Sequence, residues 1–596
     1  MTANYDAQAD AYSKRVQWLV EIDLDRCDNE YTSAVAPSTC TASDAGDGSR
    51  CFFTFGTCQD PANFRTDTTG LRTYRFCLSD VPWSDTALPA YPYLKQLVSV
   101  PQRIDPKKLF TFPERVKCRM ALDWAPLPLD RDKTTSNSST GGEFWKNLMA
   151  RNRNYPGRAL RIKRGFSVAA GFVVADFAQV GPEYKLSQMN IDGDVCVIEA
   201  ESPLADLDKR KIPSQLSKDN LLNGAIDDSQ VTITVDDASE IPDPALFSRN
   251  VLYIEVGTNK PREIMAVTGR NTSTHVLDVT RGQFGTTAAL HVDDEKVALV
   301  AAFGTATGGA KTVTAVMQDI LEYAGVAAAK VTTADFTRIE NVAWPRADTL
   351  RVVRKPKSAA KLIQELREMR GIMLFLDTAG NFAAEVLAPN QNAPVLTDEE
   401  LMDVSVTEDD ESRITRCLYY YTPVEDNPRD PEDFEVAVIV INTDLELANN
   451  FGDQRELIVM DHWLSSGATV AAVRNICRRV ITFRSFGSRI IKFDLDVKNA
   501  ALNVGDSRTL KTRHITDTLG TIEARTVIVV AKRETKRSIV TYEAIDTNFA
   551  GPFFRIGPDT VAGTWDTATD EDKAYGYWGD ADNRVGVKFE IGKKVW

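Results

Sequence analysis

Cys27-Asp-Asn-Glu-Tyr-Thr-Ser-Ala-Val-Ala-Pro-Ser-Thr-Cys40, then Thr-Ala-Ser-Asp-Ala-Gly-Asp-Gly-Ser-Arg-Cys51 and Phe-Phe-Thr-Phe-Gly-Thr-Cys58, is the stretch around which the chain is organised. With Cys77 it places five of the nine cysteines in 51 residues, while Cys118, Cys196, Cys417 and Cys477 are scattered over the 519 that follow. The residues between the thiols are small and turn-forming, apart from Phe52, Phe53 and Phe55. A loop of that composition buries too little apolar surface to order itself. Something must cross-link it.

The spacing bears on what the cross-link is. Disulfides need an oxidising compartment, and residues 1–15 are polar, without the apolar segment of a secretory leader. Five thiols also leave one over. Structural zinc usually takes closely paired Cys-x2–4-Cys knuckles, whereas the gaps here are 12, 10, 6 and 18 residues. An iron–sulfur cubane takes four thiolates and accepts them from separate loops. Cluster, zinc and plain buried thiols all stay open on this reading, with the cluster in front.

Three segments carry a resemblance: Val16-Gln-Trp-Leu-Val-Glu-Ile-Asp-Leu-Asp-Arg-Cys27, Val35-Ala-Pro-Ser-Thr-Cys40 and Arg50-Cys-Phe-Phe-Thr-Phe-Gly-Thr-Cys58-Gln-Asp-Pro-Ala-Asn-Phe64. Together they resemble the opening of siphophage tail-tip (baseplate) hub proteins, a group that includes the hub of gene transfer agents. The Cys-x6-Cys step is also similar to the cysteine module of the lambda tail-tip L protein. The resemblance implies a 4Fe–4S cluster on Cys27, Cys40, Cys51 and Cys58, with Cys77 as the spare thiol or alternative ligand. It further implies a homotrimer at the virion tail tip. Its partners would be the distal tail protein, the tape-measure protein and receptor-binding or central tip/fibre proteins.

Composition is compatible with that expectation and excludes other classes. The chain has 596 residues, enough for three to five domains, with 43% hydrophobic and 26% charged residues, ordinary for a globular protein. A net charge of −14 argues against a surface built to grip nucleic acid by sequence. No apolar run approaches the length of a membrane span. The four histidines, His275, His291, His462 and His514, are far apart, so a histidine metal site or triad is not expected.

Taken in order, residues 1–15 read as a polar arm and 16–24 as a strand with Trp18, Val20, Ile22 and Leu24 on one face. Thr73–Cys77 reads as a short strand, Pro82–Pro106 as a covering loop, and Lys117–Trp124 as another strand. A Ser/Thr/Gly linker at 133–142 precedes an amphipathic helix in which Phe144, Trp145, Leu148 and Met149 share a face, which points to core packing. Tyr184–Pro203 adds two strands, with Cys196 a buried apolar thiol. Residues 228–303 form a small β domain with strands near 231–235, 252–256, 263–267 and 276–279.

The segment Thr280-Arg-Gly-Gln-Phe-Gly-Thr-Thr-Ala-Ala-Leu-His291 resembles a pattern recurring in phage tail and baseplate proteins. It reads as a structural turn: Gly282 and Gly285 permit it and Arg281 or His291 ties it back, with no acid in evidence beside His291. Gly304–Thr312 fails as a phosphate loop because Ala310 separates Gly309 from Lys311. It reads as a linker to a helix at 313–324. In 340–550, helices at 356–370 and 468–483 alternate with a hairpin at 372–387 and a strand at 489–497. The resemblance places two pseudo-equivalent barrels in this region.

The expected fold is multidomain and mainly β with α+β parts, built of small β-barrels and helix-plus-hairpin units of tail-hub type. The expected division is a cysteine-rich iron–sulfur domain (1–220), an inserted β domain (221–305), tail-hub barrel and helix domains (306–550) and an aromatic C-terminal segment (551–596). The expected function is a structural hub without enzymatic activity. The alternatives are a tail-associated enzyme, meaning an iron–sulfur redox protein or a cell-wall hydrolase, and a zinc-stapled structural protein. No flavin, nicotinamide or substrate motif accompanies the cysteines, and for hydrolysis the acidic residues are plentiful but the sequence does not pair them.

Overall fold

In the computed structural model the described residues are 16–25, 27, 54–58, 60–64, 71–79, 81, 83–85, 88–98, 102–103, 115–121, 143–166, 172–192, 195–214, 220–247, 251–257, 262–305, 309–342, 347–367, 370–377, 380–386, 393–424, 428, 430–447, 452–464, 470–484, 488–496, 499, 502–517, 519–534 and 539–546. The expected polar arm, the 133–142 linker and the aromatic end at 551–596 lie outside them. The fold is mainly β with a smaller helical part, as the sequence pattern implies.

The opening strand, Val16–Asp25, sits between Leu71–Leu78 and Ala159–Phe166 and pairs antiparallel with both. From Leu71–Leu78 the sheet continues through Tyr91–Val98, Arg115–Ala121, Val195–Glu201 and Tyr184–Asp192 back to Ala159–Phe166, so that seven strands close a ring. All ten residues of the opening strand are buried, not only the face with Trp18, Val20, Ile22 and Leu24. Helix Glu143–Arg151 packs on the apolar face. Phe144 and Trp145 are fully buried, their rings 6.1 and 4.9 Å from that of Phe76. Cys196 is likewise buried in this core.

Tyr91–Val98 corrects the covering loop expected at 82–106. Pro92 and its neighbouring prolines argue against a strand, yet Tyr93 and Leu94 are buried and the strand pairs with Leu71–Leu78 and Arg115–Ala121. Burial of those side chains overrides the local signal.

A second barrel-like sheet runs Val395–Thr397, Ser507–Thr516, Ile522–Glu534, Ile539–Asp546, Ser488–Asp496 and Leu401–Asp409, and curls so that its last strand returns beside Ser507–Thr516. The two barrels therefore come from opposite ends of the chain, correcting the expectation that both lie within 340–550. They share one continuous apolar core, which joins Phe493, Leu495, Val527, Val529 and Tyr542 to the first barrel's interior. A short strand at Gln102–Arg103 also pairs across to Ile522–Glu534.

Three further units complete the described fold, two of them between the barrels in sequence and the third inserted in the second barrel, between Leu401–Asp409 and Ser488–Asp496. The inserted sheet has the order Thr232–Thr234, Val276–Gln283, Glu263–Asn271, Leu252–Val256, Val297–Phe303 and Arg351–Val353. Helices Val313–Tyr323, Thr333–Val342 and Ala359–Arg367 share a core with the hairpin Ile372–Leu376 and Phe382–Val386. Gly371 joins helix and hairpin in the left-handed conformation at φ 63°, where a side chain is disfavoured.

The third unit is a three-stranded sheet, Phe434–Ile441, Arg416–Pro423 and Glu456–Asp461, with helix Val470–Arg484 packed on one face. Its other face is apolar and turned to solvent. Ile439, Leu418 and Ile458 stand side by side across it, Ile439 57% and Ile458 53% exposed.

Candidate metal centre

The helix Glu143–Arg151 and the turn after it gather both described ends of the cysteine module. Thr54 Oγ1 donates to the Arg151 carbonyl at 2.6 Å, and Gly56 lies so close that an added Cβ would stand 3.1 Å from the same oxygen. This holds the short helical turn Phe55–Thr57, and Cys58 follows with its N–H on the Phe55 carbonyl at 3.2 Å. A few residues beyond the helix, Asn154 and Arg158 both bond Asp25 Oδ2, Arg158 at 2.6 Å. Cys27 lies two residues past Asp25 and is buried, 6% exposed. Cys58 is half-buried. One helix end thus anchors the approach to both thiols.

Two thiols whose approaches are tied near one helix end, one of them shielded from water, are compatible with thiolate ligation of a metal or a cluster. Cys40 and Cys51 lie outside the described residues. Cys77 is placed differently. It pairs with Leu19 in the core of the opening strand, whereas Cys27 follows the far end of that strand. The six steps from Leu19 to Asp25 span roughly 20 Å at the usual strand rise. That separation sets Cys77 apart from Cys27 as a ligand of the same cluster.

The polar face of the opening strand is a buried ion ladder. Glu21 meets Lys163 at 2.9 Å, Arg75 at 3.1 Å and Arg161 at 3.3 Å, and Asp23 takes Arg161 at 2.7 Å. Burial opposes the charge on Glu21, but the Lys163 hydrogen bond and the charges of Lys163, Arg75 and Arg161 outweigh it and hold the carboxyl below its usual value. A depressed folded value adds stability above about pH 4.5, which is lost as pH falls through that folded value. Acid unfolding of the first barrel is therefore expected to begin below about pH 4.5. Glu21→Gln should weaken the barrel at neutral pH and flatten the acid limb. An acid profile unchanged by Glu21→Gln would remove the ladder from this role.

The 280–291 segment is a structural turn, and its organiser is a residue the motif does not contain. Glu263 is fully buried. It accepts from Arg281 Nε and Nη2 at 2.8 and 2.7 Å and from the N–H groups of Gly282 and Ala289 at 2.8 and 3.1 Å. It also meets His291 Nε2 at 3.1 Å, while His291 Nδ1 faces Glu295 at 2.6 Å. Two acids therefore accompany His291, correcting the expectation of none. Burial opposes the Glu263 charge, yet the Arg281 bond and the two N–H groups hold its carboxyl below the usual range. Arg281 also ties back the carbonyls of Asp227 and Ala289. Lys311, tested above as a phosphate-loop lysine, pairs instead with Asp319 at 2.9 Å.

No family model matches the sequence, and no curated protein matches it. Solved structures similar to the chain include the 43 kDa tail protein of prophage MuSo2 from Shewanella oneidensis (9% identity, 76% of this chain and 95% of that one, TM-score 0.34). Prophage tail protein gp18 from Listeria monocytogenes is similar at 10% identity over 76% of this chain and 90% of its own, TM-score 0.30. A chain of the native gene transfer agent virion is similar at 12% identity over 61% and 80%, TM-score 0.30.

Proposed function

We propose that this chain is the structural hub of a siphophage-like tail tip, located in the virion, and not an enzyme. The observation that carries the reading is the pair of barrel-like sheets drawn from opposite ends of one chain and joined through one core. Three such chains present six similar units, the arrangement a trimer needs to continue a six-fold tube. The cysteine-rich opening, similar to that of tail-tip hubs, supports the same reading. The solvent-facing apolar sheet around Ile439 and Ile458 is the kind of surface an assembly component covers on docking.

In this role the chain closes the tail tube. It connects the distal tail protein and the tape-measure protein to receptor-binding or central tip/fibre proteins. Cys27, Cys40, Cys51 and Cys58 would hold a 4Fe–4S cluster as a staple for the N-terminal domain. Bound there, the cluster supplies four iron–thiolate bonds to a segment too polar to order by burial.

Closed C3 symmetry requires complementary patches on opposite flanks of each subunit, and a permanent interface of this kind buries more than about 2,000 Å². A cryo-EM reconstruction of the tail end carrying this chain is expected to show three copies per ring, with the two barrels of each copy alternating around the tube. Six copies per ring, or one copy on the axis, would overturn the proposal.

A further inference from the structure

Cys417 and Cys477 lie sixty residues apart in sequence and meet in one core in the small three-stranded unit. Cys417 stands on the central strand, opposite Val440 on one side and Leu457 on the other. Cys477 stands midway along helix Val470–Arg484, which packs across that strand. Both thiols are fully buried in one core with Tyr419, Val473, Ile476 and Ile481. The helix packs directly on that strand, so both thiols belong to the core at this contact.

We infer that Cys417 and Cys477 form a latent disulfide site, closed by exchange with a small-molecule disulfide of the glutathione class and stapling the helix to the sheet. The step balances in two exchanges. The Cys477 sulfur attacks the small disulfide, giving a mixed disulfide and one small thiol. The Cys417 sulfur then displaces the second small thiol and closes the Cys417–Cys477 bond. The two protein thiols are oxidised, the small disulfide is reduced, and both protons leave on the released thiols.

The order of attack follows from the environment. Hydrogen bonding toward Cys417 holds Cys477 below the usual thiol value against the opposing effect of burial. The same hydrogen bonding, with burial, pushes Cys417 up. The thiolate is the attacking species, so Cys477 reacts first. Cys118 and Cys196 make an internal contrast. They are buried in the first barrel on paired strands but stand diagonally, opposite Ile198 and Met120, and burial pushes each up to about 12.

The inference stands without the tail reading and without the iron–sulfur cluster. Its consequence is mechanical: the stapled helix backs the sheet whose other face carries Ile439, Leu418 and Ile458. Because both sulfurs are buried, exchange waits for the helix to lift, and sub-denaturing urea should accelerate it.

The test uses the full-length reduced protein. It is incubated with glutathione disulfide, with and without mild urea, then quenched in acid, alkylated in denaturant and mapped by mass spectrometry. The expected product joins the peptides bearing Cys417 and Cys477, about 2 Da lighter than the two reduced peptides, and reductant separates them. Helix 470–484 should then exchange its amides at least ~10-fold more slowly. Cys417→Ala and Cys477→Ala should each leave only a mixed disulfide on the remaining thiol, formed faster in urea, and no joined peptide. If either variant fails to fold, the wild-type map still decides. The inference is overturned if, in urea that exchanges the helix amides, both cysteines are alkylated or glutathionylated separately without joining.

Discussion

Glu263→Gln is expected to destabilise the inserted β domain by about 3–5 kcal/mol, the cost of breaking a buried ion pair by removing one partner. The substitution leaves the buried Arg281 guanidinium without its counter-charge. It also turns an amide N–H₂ toward groups that donate to Glu263 in the native fold, the Gly282 and Ala289 N–H groups among them. Urea unfolding, followed by hydrogen exchange at Val267, Leu277 and Val279 in that core, measures the loss. Arg281→Lys should fall between wild type and Glu263→Gln, because the ammonium keeps the charge but not the two-pronged contact. A change below about 1 kcal/mol for Glu263→Gln would mean that the turn holds without its carboxylate.

The second large effect concerns iron. Protein purified without oxygen is expected to be brown, with about four irons and four sulfides per chain, as a cubane requires. Cys58→Ser should abolish the iron and lower solubility, whereas Cys77→Ser should keep it. The structural basis is the anchoring of Cys58 and of the approach to Cys27 on one helix end, against the placement of Cys77 beside Leu19. One zinc per chain and no iron would replace the cluster with a zinc staple. Equal iron loss in both variants would make Cys77 a ligand.

Much of the strand pattern was legible because alternation survives in Val16–Asp25, Leu252–Val256 and Ser488–Asp496. Which charges would be buried was not. Glu21 depends on Arg75 and Arg161, 54 and 140 residues away, and no local pattern reports such partners. The motif at 280–291 pointed to Arg281, Gly282 and His291, while Glu263, the residue that joins them, opens a different strand 18 residues before Arg281. The three-stranded unit escaped for another reason. Cys417, Tyr419 and Tyr421 on one face and Leu418 and Tyr420 on the other are all apolar or aromatic, so alternation carries no direction there. In the candidate centre, density alone drew attention to Cys27 and Cys58. The helix end that serves both became visible only in three dimensions.

The short pairing of Gln102–Arg103 with Ile522–Glu534 has a consequence for synthesis. Its partner strand begins 419 residues after Arg103, so at ~5–20 residues per second it leaves the ribosome roughly 20–80 s later. During that interval Gln102–Arg103 lacks its partner strand, and the first barrel exposes the part of its apolar core that the second barrel will cover. Chains terminated before residue 522 keep that exposure permanently, so incomplete products should be drawn to chaperones and proteases. The last barrel thereby acts as a check on completion, since only a chain translated through it can seal the first.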